Sequence, residues 1–131
     1  EILCVQYTAD FELLAGGFTD GYVRLFKPEK GQCFHSLIDE EILKNPCPVT
    51  SVKRQAHKSK NNYLTSTYTN GCVKCWDYKS GEVIYTVHED RQTLGMAYHP
   101  KSSKFVTIGD DAKILLYDEE KRVREKVFGH R

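Results

Sequence analysis

The chain has 131 residues, of which 40% are hydrophobic and 28% are charged, and its formal net charge at pH 7 is +1. This composition is typical of a soluble globular protein, and the balanced charge excludes a whole-chain field that would attract nucleic acid or membrane surfaces. No apolar run approaches the roughly 20 residues of a membrane-spanning helix. The five cysteines are few and odd in number, so they are interpreted as reduced core residues of an intracellular protein.

Alternation of apolar and polar residues predicts twelve strands in three groups of four. The groups cover residues 2–7, 11–16, 22–27 and 32–37, then 50–54, 62–67, 72–77 and 82–87, then 94–98, 104–108, 113–118 and 122–127. Residues 39–49 interrupt this rhythm between the first two groups. Within this insertion, residues 39–44 predict one helical turn that ends before Pro46.

One strand pattern occurs three times along the chain. Each copy has a turn pair, an alternating strand and a closing aromatic residue, and the copies are residues 20–26, 70–77 and 111–118. A repeat of about 40 to 50 residues with this pattern is typical of propeller blades. The sequence therefore predicts an all-β fold of three four-stranded antiparallel blades from an incomplete β-propeller. The predicted bounds are about 1–38, 50–88 and 89–128 for the blades, 39–49 for the insertion, and 129–131 for the start of a further blade.

These motifs resemble the WD-repeat β-propeller family over essentially the whole chain. Trp76-Asp77 is the dipeptide that gives the family its name, and Gly129-His130 is similar to the Gly-His pair that precedes an inner strand. The resemblance implies a hydrogen-bonded structural network within blades. The matching positions are Asp20 in the first repeat, Ser66, Asn70 and Trp76 in the second, and His88, Thr107, Asp111 and Tyr117 in the third. It also implies a closed ring, so three blades would be part of a ring, or two copies would form one of six blades.

Candidate contacts for a partner protein follow from the same resemblance. Partners of such propellers often bind over loops on the narrow face, where Thr19, Thr69 and Asp110 are expected to project. The alternative surface is the insertion, which carries the apolar pair Ile42 and Leu43 beside acidic residues.

No catalytic, cofactor-binding or metal-binding residues are predicted. Cys72 and Cys75 form a C-x-x-C pair, but residues three apart on a strand face opposite sides, so both are expected in the core rather than around zinc. The chain has no nucleophile-elbow motif and no phosphate-binding glycine loop.

The sequence predicts a non-catalytic scaffold for protein–protein contacts within a larger complex, in the cytoplasm or the nucleus. Other proteins are the expected partners, while membranes and nucleic acid are not. One alternative is a substrate receptor of a cullin-type ubiquitin ligase, because Trp76-Asp77-Tyr78-Lys79 is similar to the W-D-x-R box of such receptors. Another is a nucleic-acid-binding propeller that uses the basic residues of segment 53–60.

Overall fold

A computed structural model describes residues 1–8, 11–55 and 62–129. These residues form three antiparallel sheets of four strands and one short helix. The first sheet contains β1 (Ile2–Tyr7), β2 (Leu14–Phe18), β3 (Val23–Lys27) and β4 (Gln32–Leu37), and α1 (Glu40–Lys44) follows it. The second contains β5 (Val49–Lys53), β6 (Tyr63–Tyr68), β7 (Cys72–Asp77) and β8 (Glu82–His88). The third contains β9 (Thr93–Tyr98), β10 (Lys104–Gly109), β11 (Lys113–Asp118) and β12 (Val123–Gly129).

Each sheet is a meander in which neighbouring strands are also consecutive in sequence. The first strand of the middle sheet, β5, contacts both β1 and β9, so the three sheets lie side by side around their first strands. This arrangement confirms the predicted fold of three four-stranded blades. Residue 129 ends β12, and residues 130–131 of the predicted further blade lie outside the described residues.

The central strand β7 packs on both of its faces because the second sheet lies between the other two. Cys72 and Trp76 belong to a core cluster shared with the first sheet, which includes Leu25. Val73 points the other way, into a cluster with Phe105 and other residues of the third sheet. The alternation of side chains along a strand therefore divides β7 between two inter-sheet cores.

The second strand begins later than the sequence predicts. Residues 11–13 lie outside the strand: Phe11 has a φ of 61°, and the Thr8 backbone N–H donates to the Leu13 carbonyl oxygen at 2.9 Å. The strand then continues through Gly16 and Gly17 to Phe18. A Cβ at Gly17 would lie 2.6 Å from Cys4 Sγ and from a methyl carbon of Val49, so the glycine permits close packing of the first two sheets.

The insertion is anchored to the sheets by its short helix. Asp39 caps α1, since its side chain accepts a hydrogen bond from the Ile42 backbone N–H at 3.1 Å. Ile42 is 0% exposed and packs in the core cluster beside Gly21. The helix in the described part of the chain, α1, has five residues and is too short to span a bilayer.

Candidate functional site

The second sheet contains a hydrogen-bonded chain that begins at Trp76. The Trp76 indole Nε1 donates to Ser66 Oγ at 2.9 Å, and Ser66 Oγ donates to the Tyr68 hydroxyl at 2.8 Å. Asn70 does not join them, because its Oδ1 accepts from the Cys72 backbone N–H within its own turn. The structure thus brings together two of the three predicted network residues of this blade and adds Tyr68.

The third sheet has a network of side-chain hydrogen bonds centred on Glu89. The sequence did not predict a role for this residue. The buried Glu89 carboxylate accepts hydrogen bonds from Thr93 at 2.6 Å, Thr107 at 2.6 Å and Tyr117 at 2.5 Å. Arg91 Nε donates to it at 3.1 Å. Burial acts to raise the pKa of Glu89, but these hydrogen bonds outweigh it and hold the pKa below its usual value.

Arg91 extends this network to the turn between β10 and β11. Its guanidinium donates to Asp111 Oδ1 at 2.7 Å and to Thr107 Oγ1 at 2.7 Å. His88 takes no part in it, because its Nε2 lies 2.9 Å from Glu41 Oε2 of the insertion helix. Glu89, the residue after His88, therefore joins Thr107 and Tyr117 directly. It is linked to Asp111 through Arg91.

The first sheet has an ion pair at the corresponding turn. Asp20 accepts from both terminal nitrogens of Arg24, at 3.2 and 2.9 Å, and from the Tyr22 backbone N–H at 3.1 Å. The Arg24 guanidinium lies over the rings of Phe18 and Tyr22, with its carbon 4.7 and 4.4 Å from their centroids. Phe26 has no donor, so the tryptophan-type hydrogen bond of the second sheet has no equivalent here.

A buried lysine ties the insertion helix to the second sheet. Lys74 on β7 has a side chain that is 1% exposed, and its Nζ lies 2.7 Å from Asp39 Oδ2 and 2.7 Å from Glu41 Oε1. Burial acts to lower the pKa of Lys74, but the two carboxylates outweigh it and raise the pKa. The hydrogen bond from Lys74 lowers the pKa of Glu41 to about 2.

The predicted partner-binding residues differ in how accessible they are. Thr19 and Asp110 are exposed, Thr69 is half-buried, and Leu43 is 53% exposed. Ile42 was predicted as a docking residue, but its side chain is the buried one of α1 and leaves no surface for a partner. The period of the helix explains this, since consecutive side chains of a helix point about 100° apart, so Leu43 turns away from the core that Ile42 enters.

The motif behind the ubiquitin-ligase alternative is largely part of the fold. Trp76 and Tyr78 are each 1% exposed, and Asp77 Oδ1 accepts from the backbone N–H groups of Lys79 and Ser80 in the following turn. In the basic segment 53–60, the Arg54 guanidinium carbon lies 5.3 Å from the centroid of the Phe11 ring. Residues 56–60 of that segment lie outside the described residues.

A cavity of about 460 Å³ lies between the last strands of the second and third sheets. Its lining includes Tyr85, Phe105 and Arg122, and the Arg122 guanidinium carbon lies 4.8 Å from the centroid of the Tyr85 ring. Glu119 also lines it and accepts hydrogen bonds from the hydroxyls of Tyr85 and Tyr98. The carboxylate of Glu119 therefore already has two hydrogen-bond partners within the protein.

Comparison with known proteins gives relatives of low sequence identity, while no protein-family model matches the chain. The COMPASS component SWD3 of Saccharomyces cerevisiae is 26% identical over 107 residues, which cover 82% of this chain and 34% of that protein. Periodic tryptophan protein 2 of Arabidopsis thaliana is 25% identical over 135 residues, covering 99% of this chain and 14% of that protein. The TSET complex member tstF of Dictyostelium discoideum is 24% identical, covering 87% of this chain and 10% of that protein.

A solved structure has the same arrangement of sheets. The β-propeller domain of Cps50 (Swd1) from Myceliophteria thermophila superposes with a TM-score of 0.79 at 21% identity, and the match covers 99% of this chain and 39% of that one. The chain thus spans about a third or less of the curated relatives and about two-fifths of the solved propeller chain. Its three four-stranded sheets and these similarities confirm the β-propeller fold and the predicted resemblance to the WD-repeat β-propeller family.

Proposed function

We propose that the chain is part of a non-catalytic scaffold that holds proteins together in a multi-protein assembly. The observation that carries this proposal is the set of three corresponding turns, after β2, β6 and β10, which present Thr19, Thr69 and Asp110 from three packed sheets. A partner bound across turns held by such a frame loses little conformational entropy, because the loops are already ordered.

The relatives support a role in an assembly. SWD3 is named as a component of COMPASS and tstF as a member of the TSET complex. The chain matches only part of each, so the assemblies named for these relatives are not assigned to it. We propose other proteins, inside the cell, as those partners.

The polar clusters support a non-catalytic role. The carboxylate of Glu89 accepts hydrogen bonds from four side chains, and the ammonium of Lys74 is paired with two carboxylates. A general acid or base must reach a substrate proton within hydrogen-bonding distance. These groups are instead committed to partners that hold the sheets and the insertion together.

The outer faces of the first and third sheets are the places where we propose that further blades pack. The third sheet exposes Leu94, Ile108 and Ile114, and the first exposes Ile2 and Val5. Light scattering with a thermal melt of the 131-residue chain tests this. A monomer that melts without cooperativity supports further blades, whereas a stable species of twice the chain mass with a sharp melt would show that a second copy covers these faces.

The scaffold role is tested by substitutions at the proposed contact residues of the full-length protein. Thr19→Arg and Leu43→Arg place a long charged side chain on two exposed positions. Lys30→Glu and Ser80→Arg are the matched controls, because these exposed residues lie in the β3–β4 and β7–β8 turns, at the other ends of β3 and β7. Quantitative mass spectrometry of co-purified proteins measures the result, with thermal melts to show that each variant folds.

We expect at least one co-purified protein to fall by tenfold or more with a contact variant while remaining with both controls. The scaffold proposal fails if the wild-type protein runs alone at its own mass and no protein co-purifies stably. If partners are retained by every variant, the assembly contacts lie on another surface than these turns and the insertion.

A further inference from the structure

Three potential metal ligands from three different elements converge where α1 meets the second sheet. Glu41 lies on α1, Cys72 begins β7 and His88 ends β8, and one ligand atom from each lies within 4.8 Å of the others. We propose that Glu41, Cys72 and His88 form a zinc-binding site that holds the insertion helix against the edge of the second sheet.

The sheet register places two of these ligands together. Cys72 and His88 are directly paired across the antiparallel strands β7 and β8. Residues opposite each other in such a pair share one face of the sheet, with Cβ atoms about 4.5–5.5 Å apart. The thiol and the imidazole therefore lie on the same face of the sheet, and α1 brings the carboxylate of Glu41 to within 4.8 Å of both.

The distances around Glu41 are near those of a tetrahedral site. Cys72 Sγ lies 3.5 Å and His88 Nε2 lies 2.9 Å from Glu41 Oε2. Bonds to zinc of about 2.3 Å for sulfur and about 2.0 Å for nitrogen and oxygen give tetrahedral ligand separations of roughly 3.5 Å for S···O and roughly 3.3 Å for N···O. The sulfur is already at that separation, and the imidazole has to move outward by only a few tenths of an ångström.

The remaining coordination position faces solvent. The side chain of His88 is 64% exposed and that of Glu41 is 40% exposed, while Cys72 is buried beneath them. An ion can therefore enter from the solvent side, and a water molecule can supply the fourth ligand. A set of thiolate, imidazole and carboxylate ligands favours zinc over magnesium or calcium, which prefer oxygen ligands alone.

Lys74 orients the carboxylate instead of competing for the same oxygen. Its Nζ binds Glu41 Oε1, which leaves Oε2 for the metal, and the ammonium is also held by Asp39. The two carboxylates and the ammonium give a net charge of about −1. Zinc binding adds two positive charges and releases the thiol proton of Cys72, so the cluster becomes neutral. The ammonium of Lys74 therefore does not leave the zinc-bound cluster with excess positive charge.

The site is distinct from a C-x-x-C knuckle. Cys75 lies three residues further along β7 and therefore faces the other side of the sheet from Cys72. The ligand set depends on the pairing of β7 with β8 and on the docking of α1, neither of which is visible in the spacing of the cysteines.

Cobalt(II) titration of the reduced, chelator-treated protein tests the proposal, because cobalt substitutes for zinc and is coloured. We expect one equivalent to bind with a thiolate-to-cobalt charge-transfer band, and zinc to displace it and to raise the melting temperature. Cys72→Ser is expected to abolish the band, and His88→Asn to weaken binding at least tenfold. Cys33→Ser is the matched control, because Cys33 is an exposed cysteine on β4, close to His35.

His88→Asn keeps the test decisive even if Cys72→Ser weakens the fold, because His88 is exposed. A melt of each variant without metal reports folding separately from binding. The proposal is overturned if the wild-type protein shows no charge-transfer band, if the band survives in Cys72→Ser, or if His88→Asn binds cobalt as tightly as the wild type.

Discussion

The ammonium of Lys74, on the central strand of the middle sheet, lies 2.7 Å from the carboxylate of Asp39, the residue that caps the insertion helix. One side chain thus joins a strand that is buried on both faces to a helix on the edge of the sheets. Asp39 stabilises α1 through its own cap, so the ion pair couples formation of the helix to its docking.

Lys74→Met is therefore expected to loosen the insertion. Methionine keeps most of the buried volume but leaves Asp39 and Glu41 side by side without a cation. Removing one partner of a fully buried pair costs about 3–5 kcal/mol, and because both acids are partly exposed we expect about 1–3 kcal/mol here. Urea unfolding measures the loss, with Lys44→Met as the control on the exposed last turn of α1. Equal stability of the two variants would contradict this account.

The pH dependence of stability should report the same cluster. The pKa of Glu41 is lowered from 4.5 to about 2, chiefly by the hydrogen bond from Lys74. A carboxyl with a lowered folded-state pKa stabilises the protein fully above its unfolded pKa, and this stabilisation is lost as the pH falls towards the folded pKa. The stability difference between the wild type and Glu41→Gln should therefore shrink between pH 4.5 and 2. Chelated samples are compared, and a constant difference across that range would refute the prediction.

Substitution of Glu89, which lies between β8 and β9 at the centre of the third sheet's polar network, is expected to lower the stability of the protein. Glu89→Gln removes the charge opposite Arg91 and replaces one acceptor oxygen with a donor that faces hydroxyl groups. Breaking such a buried network costs on the order of 2–4 kcal/mol. Glu82→Gln, at an exposed position on β8, is the control and should change stability little. Chemical unfolding compares the two, and a loss below about 1 kcal/mol for Glu89→Gln would show that the network rearranges.

Strand positions could be predicted where the local pattern determines them. The predicted ranges 2–7, 32–37, 72–77 and 113–118 coincide with β1, β4, β7 and β11, because period-two alternation and the flanking turns are properties of the segment itself. The second strand was misplaced because the position of a glycine pair in a strand depends on how closely a neighbouring sheet approaches.

The polar networks could not be predicted because they depend on contacts between elements. The sequence around His88 and Glu89 does not show which of the two side chains faces the third sheet. In the structure, Glu89 accepts hydrogen bonds from the hydroxyls of Thr107 and Tyr117. A lysine in the middle of the apolar strand β7 was a signal that a buried cation needs acidic partners. The acids that pair with Lys74 come from an insertion whose docking has no sequence pattern.

The hydrogen bond between Trp76 and Ser66 can be isolated with a double-mutant cycle. Trp76→Phe removes the indole donor, and Ser66→Ala removes the acceptor together with the hydrogen bond that Ser66 donates to the Tyr68 hydroxyl. We expect a coupling of about 1 kcal/mol between the two substitutions, the usual net value of a buried hydrogen bond. Both single variants need to keep the unfolding m-value of the wild type, and a coupling near zero would mean that the indole packs without relying on Ser66.

Two glycines with positive φ provide a matched test of how the turns are packed. Gly71 has a φ of 92°, and a Cβ there would lie 2.2 Å from the carbonyl oxygen of Glu89 and 2.6 Å from that of Arg91. Gly31 has a φ of 64°, and a Cβ there would meet nothing within 4 Å. The two positions therefore share a backbone that disfavours other residues, but only Gly71 lies against a neighbouring segment of backbone.

Gly31→Ala should cost only the conformational strain, on the order of 1 kcal/mol. Gly71→Ala should cost about 3 kcal/mol or more, because the backbone of Glu89 and Arg91 must also move away from the new methyl group. Thermal and urea unfolding of both variants measure the difference. Similar losses at the two positions would show that strain alone limits Gly71, and that the approach of Glu89 and Arg91 to this turn is free to relax.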